Sequence, residues 1–185
     1  MQMLPYKLYQ SKNIFIFIFI FMLPLKSYSS QINHNYKLGA GDKIKIVVYG
    51  EDDLSIDELL ISSSGSFDYP YLGQLTTKGK TPKEIKDKIQ SGLKGDYLIN
   101  PKVMVNIISF RKIYVNGEVK RPGGYEYQPG LTVDKAIALA GGFTDRASKS
   151  SIKVKKEENG KDIKKANLDT KIIPGDIIVI EQSFF

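Results

Sequence analysis

Five short stretches carry residue types that could do chemistry, and each lacks what that chemistry needs. Gly79-Lys80-Thr81 ends like a phosphate-binding loop, in which backbone amides and a lysine cradle phosphates. The glycine that should open such a loop is replaced by Gln74, Gly73 comes one residue early, and Pro82 follows at once. Gly39-Ala40-Gly41 is no dinucleotide fingerprint, because Asp42-Lys43-Ile44 begins a strand-like run where that motif needs a helix. His34, the one histidine, has no serine or cysteine nucleophile motif beside it, so a charge relay finds no support. Asp52-Asp53 and Asp57-Glu58 are acid pairs; glycoside hydrolysis needs two carboxylates across a cleft, which adjacency in sequence does not supply.

Composition closes further routes. The absence of cysteine excludes a disulfide framework, a thiolate zinc site, a cysteine nucleophile and an iron–sulfur cluster, and a single histidine excludes a histidine-cluster metal site. The residues point to no catalytic group, no cofactor and no metal set, so the chain reads as a non-enzyme.

The elements that would position any function begin after an address. Lys7 and Lys12 precede the apolar run Ile14–Leu25, and Lys26-Ser27-Tyr28-Ser29 closes it. A basic start, an apolar middle and small residues at the end describe a secretory signal peptide over 1–29, cleaved before Ser30. Twelve apolar residues interrupted by Pro24 fall short of the ~20 that a spanning helix needs; an uncleaved, weakly held anchor is the alternative. The full chain of 185 residues carries 27 Lys+Arg against 20 Asp+Glu, a formal charge of +7 with 42% hydrophobic residues, the composition of a globular protein with one or two small domains. Without residues 1–29 the balance is 24 against 20, or +4. Residues 149–165 hold seven lysines (149, 153, 155, 156, 161, 164, 165) against Glu157, Glu158 and Asp162, so that segment contains the whole excess. Such a run reads as a solvated face or hairpin tip. The functional alternative is contact with an anionic polymer or anionic headgroups. Nucleic acid is not expected, since no arginine-rich helix or base-reading motif is present.

The remaining chain divides into two strand-rich units with one helix each. Ile44, Ile46 and Val48 share one face of a strand. Short strands over Ile61–Leu75 are broken by Ser62-Ser63-Ser64-Gly65, Pro70 and Gly73. Thr81-Pro82-Lys83-Glu84 is a complete helix start, with a capping threonine, proline at the first position and a glutamate to close a capping box. Ile85, Ile89 and Leu93 then give one narrow apolar stripe, and Val103, Val105 and Ile107 alternate beyond Asn100-Pro101. The first unit closes near Ser109. The second opens with strand Ile113-Tyr114-Val115 and a turn-rich stretch, Asn116 to Tyr125. Thr132 caps a helix over Val133–Ala140 that Gly141-Gly142 stops, and strands follow at Ile152–Lys156, Ile163–Leu168 and Ile177–Ile180. Asn159-Gly160 is a hairpin-turn dipeptide. One internal echo stands out: Gly41-Asp42 and Gly175-Asp176 each precede an alternating strand, which reads as a structural turn with the aspartate bonding local amides.

Order and spacing together resemble the outer-membrane polysaccharide export family, the Wza-type proteins of capsule and exopolysaccharide secretion. In the first unit the resemblance rests on Tyr36-x-Leu38-Gly39-x-Gly41-Asp42-x-Ile44-x-Ile46, then Gly65-x-Phe67-x-x-Pro70-x-x-Gly73, the Thr81-Pro82-x-Glu84 helix, and Tyr97-x-x-x-Pro101-x-Val103-x-Val105. In the second it rests on Val115-x-Gly117-Glu118-Val119-x-x-Pro122-Gly123-x-Tyr125 and Leu131-Thr132-Val133-x-x-Ala136-Ile137-x-x-Ala140-Gly141-Gly142. The resemblance implies an α+β fold: a small mixed α/β polysaccharide export domain over 36–109, after a tail at 30–35, and a soluble-ligand-binding (SLBB-like) β-grasp domain over 110–185 with a C-terminal strand. Three departures matter. Ser64-Gly65 replaces the family's usual Asp-Gly, no lipidated cysteine follows the signal, and the chain ends at Phe185 without the amphipathic pore helix of larger members. A short, periplasm-facing form is expected, associated with the outer membrane of a Gram-negative bacterium.

The resemblance further implies a homo-oligomeric ring that conducts a sugar polymer. Its partners would be an inner-membrane polysaccharide co-polymerase and a separate outer-membrane pore protein, with no nucleic acid and no cofactor. Passage needs many weak contacts, which tyrosines suit by offering an apolar face and a hydroxyl. Tyr69, Tyr71, Tyr125 and Tyr127 are the candidate sugar contacts, or alternatively half-buried strand residues. The family-motif residues Gly41, Asp42, Gly65, Pro70, Gly73, Pro101, Gly117, Glu118, Pro122, Gly123, Gly141 and Gly142 are expected to shape loops that form subunit contacts or the ring lining. A monomeric periplasmic carbohydrate-binding module is the alternative function; a secreted polysaccharide hydrolase would need a carboxylate pair that does not stand out.

Overall fold

The computed structural model describes residues 35–156 and 163–183. The expected signal peptide at 1–29, its cleavage site, most of the 30–35 tail with His34, and Asn159-Gly160 and Lys161 lie outside the described residues. The described residues belong to one compact unit, 32–185, which holds two hydrophobic clusters. The first draws on residues from Tyr36 to Ile107 and the second on residues from Ile113 to Ile180.

The first lobe is built on β1 (Lys43–Val48), whose Ile44, Ile46 and Val48 are all buried while the intervening residues are half-exposed. It is the centre of an antiparallel three-stranded sheet, flanked by β2 (Ile56–Leu60) and β5 (Val103–Ser109). Ile46 faces Ile56 on one side and Val105 on the other. A single 3-10 turn, Asp52–Leu54, joins β1 to β2. Strands β3 (Ser66–Tyr69) and β4 (Gly73–Thr76) form a separate hairpin. Helix α1 (Pro82–Leu93) starts where the sequence predicts. The Thr81 hydroxyl accepts from the Glu84 amide at 3.2 Å, and the Glu84 carboxylate accepts from the Thr81 amide at 2.7 Å. Its buried stripe is Ile85, Ile89 and Leu93. Strand β2 is one that the sequence pattern does not announce. Asp57 and Glu58 interrupt its apolar alternation, and they stand at the sheet edge paired with Lys45 and Lys43, both at 2.6 Å.

The second lobe is a five-stranded mixed sheet in the order β7-β6-β10-β8-β9. Its strands are β6 (Ile113–Gly117), β7 (Gly123–Tyr125), β8 (Ala147–Lys155), β9 (Ile163–Ala166) and β10 (Ile177–Gln182). The central pair β6–β10 is parallel and every other pairing is antiparallel. Helix α2 (Val133–Leu139) is capped by Thr132, and its Val133, Ala136 and Ile137 share one buried cluster with Val115, Ile152, Val154, Ile178 and Ile180 of the sheet. One helix laid on such a sheet is the β-grasp arrangement, and the protein is α+β. Two strands exceed the sequence reading. The stretch read as turn-rich contains β7, a short edge strand with two glycines, and β8 begins five residues early because Ser148, Lys149 and Ser150 show no alternation.

Candidate functional site

The two Gly-Asp turns stand on either side of the connector between the lobes. Gly41 and Gly175 adopt φ of 91° and 89°, the left-handed region open to glycine. Each is followed by a fully buried aspartate whose Oδ2 accepts a local amide, from Gly39 at 2.8 Å for Asp42 and from Ile173 at 2.9 Å for Asp176. Asp42 also accepts from the Tyr36 hydroxyl, from the Arg111 amide at 2.7 Å and from the Arg111 guanidinium at 2.9 Å. Asp176 takes one cation, Lys156 at 2.5 Å, and its Oδ1 has no partner. The connector is pinned on both sides: Gly175 N–H donates to Lys112 O, and Tyr114 N–H donates to Asp176 O. Phe110 bridges Tyr36 and Tyr127 edge-on, at 5.0 and 5.2 Å between ring centres. A cleft of about 350 Å³ opens here, lined by Ala40, Gly41, Arg111, Lys112, Tyr114 and Gly175.

The other motif positions serve the backbone. A Cβ on Gly117, at φ 85°, would lie 2.0 Å from the Ile180 carbonyl oxygen, so β6 and β10 pair there only around glycine. A Cβ on Gly65 would meet Lys78 at 2.4 Å. Gly141 and Gly142, at φ 83° and 88°, end α2. Pro101 is buried at the entry to β5, whereas Pro70 and Pro122 are exposed at turns flanking Gly73 and Gly123. Glu118 accepts from the Thr144 hydroxyl and from Arg146 at 3.2 Å. The Thr144 bond first, and Arg146 after it, hold the Glu118 carboxyl below its ordinary range.

Of the four candidate tyrosines, the structure leaves one open to solvent. Tyr69 is 2% exposed and its hydroxyl donates to the Leu54 carbonyl at 2.7 Å, so it belongs to the core and offers no surface to a polymer. Burial pushes its hydroxyl from 10.0 up to about 12. Tyr125 donates to the Arg121 carbonyl and packs on the second core. Tyr127 is half-buried against Phe110, and burial raises its hydroxyl. Tyr71 is 66% exposed and stacks on Tyr97, with centroids 4.7 Å apart and planes 24° from parallel. The pair borders a second cavity, about 320 Å³, lined by Glu51, Asp53, Leu54, Tyr71, Asp96, Tyr97 and Leu98.

Three elements build this shelf. Tyr71 sits at the tip of the β3–β4 hairpin, where Leu72 packs against α1 so closely that a Cβ on Gly92 would lie 2.8 Å from it. Tyr97 follows α1 in a loop closed by Leu98 N–H to Leu93 O and Gly95 N–H to Leu98 O, both 2.8 Å. The turn after β1 supplies Glu51 and Asp53. The sequence reading placed Tyr97 only within a motif and missed Arg111 altogether; nothing local marks an arginine 69 residues from its aspartate.

Three lysines of the 149–165 run have local partners. Lys153 pairs with Glu181 and Lys156 with Asp176, while Lys149 lies over the Phe143 ring at 5.9 Å. Lys149 and Lys153 stand at the surface as a solvated face would have them, whereas Lys156 is drawn in against the buried Asp176. Among the described residues, no group of three or more His, Cys, Asp or Glu is placed to hold a metal, and no helix is long and apolar enough to cross a membrane.

The fold defines a two-module α+β protein with an open cleft at the module junction and an aromatic shelf on the first module. Residues 30–108 match the family described as polysaccharide biosynthesis/export protein, and residues 112–165 match the SLBB domain. The chain thus carries a polysaccharide biosynthesis/export domain followed by an SLBB domain. It is 34% identical over 121 residues to the exopolysaccharide production protein ExoF of Rhizobium meliloti, covering 58% of this chain and 28% of that relative. It is 28% identical over 141 residues to the EPS I polysaccharide export outer membrane protein EpsA of Ralstonia nicotianae, covering 63% and 37%. The EpsA of Ralstonia solanacearum is 27% identical over 133 residues, covering 58% and 35%. The chain therefore spans about a third of the length of these relatives.

Proposed function

We propose that this chain is a non-enzymatic, periplasm-facing and outer-membrane-associated component of a capsular or exopolysaccharide export channel, one subunit of a ring that conducts the polymer. The observation that carries the reading is the succession, in one chain, of an export module and an SLBB module. The names of the relatives, an exopolysaccharide production protein and polysaccharide export outer membrane proteins, agree with it. In this reading 1–29 is a signal peptide, 30–35 a tail, 36–109 the export domain and 110–185 the SLBB-like domain. Rigid modules suit a ring. The connector is held by a buried ion pair and two backbone bonds, so forces on one lobe pass to the other. The polymer, further copies of the chain, an inner-membrane co-polymerase and an outer-membrane pore protein are the partners.

The test is the mass and location of the native protein. Isolation from the outer-membrane fraction as a multi-copy ring supports the reading. A soluble monomer with saturable sugar affinity overturns the ring and favours a carbohydrate-binding module.

A further inference from the structure

Tyr71 holds φ at 63°, the one non-glycine residue with positive φ among the described residues. That region strains a bulky side chain, and strain of this kind persists where surrounding structure enforces it, often at ligand sites. The core gives no reason for a tyrosine here. Tyr71 is 66% exposed and stacks one face of its ring on Tyr97, itself 47% exposed, so the opposite face is the one open to a ligand. Glycine would satisfy the same backbone without strain, as Gly73 does two residues on at φ 65°.

The surroundings specify what the open face would take. Glu51, Asp53 and Asp96 line the cavity beside the rings. Among the described residues none of these carboxylates has a side-chain hydrogen bond or ion pair, and no cation lines the cavity. Unpartnered carboxylates are acceptors for hydroxyl groups. An aromatic face covers an apolar C–H surface. Together they match a sugar ring, with C–H bonds on its face and hydroxyls on its rim. Three negative charges and no positive one oppose a uronate, pyruvate or sulfate substituent. A small cation fits poorly, since no metal-holding group is present there. A quaternary ammonium would want rings boxed around it, and these rings lie 24° from parallel.

We propose that Tyr71 and Tyr97, with Glu51, Asp53 and Asp96, form a low-affinity subsite for an uncharged hexose segment of a glycan, stacked on the open face of Tyr71. This rests on the export reading, and gives it a substrate class and a place on the first module. One exposed ring face and an open cavity favour rapid release, which a moving chain requires.

The test is a titration of the isotope-labelled full chain by amide and side-chain NMR. Cellohexaose and maltohexaose serve as neutral probes and hexagalacturonate as the acidic one. At least one neutral hexamer should shift Tyr71, Asp96 and Tyr97 with millimolar affinity, and hexagalacturonate should shift them less. Tyr71→Phe should retain binding, and Tyr71→Gly should weaken it by about tenfold, the loss of one aromatic contact. Its thermal midpoint should not fall by more than a few degrees, because strain is relieved as stacking is lost. No shift with either neutral hexamer overturns the subsite, as does binding unchanged in Tyr71→Gly or stronger binding of hexagalacturonate. None of these failures touches the export reading, which stands or falls on the native ring.

Discussion

Replacing each of the paired aspartates by asparagine should expose an asymmetry that their similar sequences hide. Asp42 is 0% exposed and both its oxygens accept: the Tyr36 hydroxyl at 2.8 and 2.7 Å, Gly39 N–H at 2.8 Å, Arg111 N–H at 2.7 Å and the Arg111 guanidinium at 2.9 Å. An asparagine there must turn its NH2 toward donors whichever way it flips. It also removes the carboxylate that Asp42 offers Arg111, whose side chain is 14% exposed. Breaking a buried pair from one side costs about 3–5 kcal/mol, and Asp42→Asn should lie in that range. Asp176 is equally buried, but its Oδ1 has no partner. An asparagine can keep its carbonyl toward Ile173 N–H and Lys156 and put its amide where Oδ1 was, exchanging one unpaired atom for another. The loss is then the ionic part of the contact with Lys156, whose side chain is 25% exposed, or about 1–2 kcal/mol. Urea unfolding of the full chain at neutral pH, followed by far-UV circular dichroism, measures both. Equal costs, or a larger cost at Asp176, would refute this account of the connector.

Three further outcomes follow from single residues. Below pH 10 Tyr69 is protonated whether the chain is folded or not; above it the unfolded chain ionises first, because burial holds the folded hydroxyl to about 12. Stability should therefore fall by about 3 kcal/mol from this group as pH rises through that window, and Tyr69→Phe should remove that part of the alkaline decline. Gly117→Ala places a Cβ 2.0 Å from the Ile180 carbonyl oxygen at a φ of 85°. It should destabilise by more than the about 1–3 kcal/mol of backbone strain alone, read as a lower urea midpoint. Thr81→Ala removes the hydroxyl that accepts from Glu84 N–H and should cost about 1 kcal/mol in the same assay.

The elements legible in the sequence are those with a strong local signal. Strand β1 shows its period in Ile44, Ile46 and Val48, and α1 announces itself by its capping box and stripe. Edge strands β2 and β7 were not legible, since Asp57-Glu58 and Gly123-Gly124 hide their alternation. The Gly-Asp echo read correctly as a turn with the aspartate bonding local amides, yet its cations, Arg111 and Lys156, lie 69 and 20 residues away. The tyrosines were legible by type and not by environment. Tyr69 ends β3 and points into the core with Phe67, whereas Tyr71 lies beyond the strand, where alternation no longer says which way a side chain faces. Its partner Tyr97 comes from the far side of α1, a contact that only the folded hairpin creates.

The export role itself is tested most directly by deleting the gene in its host and measuring polysaccharide outside the cells and retained within them. Loss of external polymer, restored by the intact protein, is the predicted result. Unchanged export in a host with no redundant copy would contradict it, and a carbohydrate-binding role outside the export path would take its place.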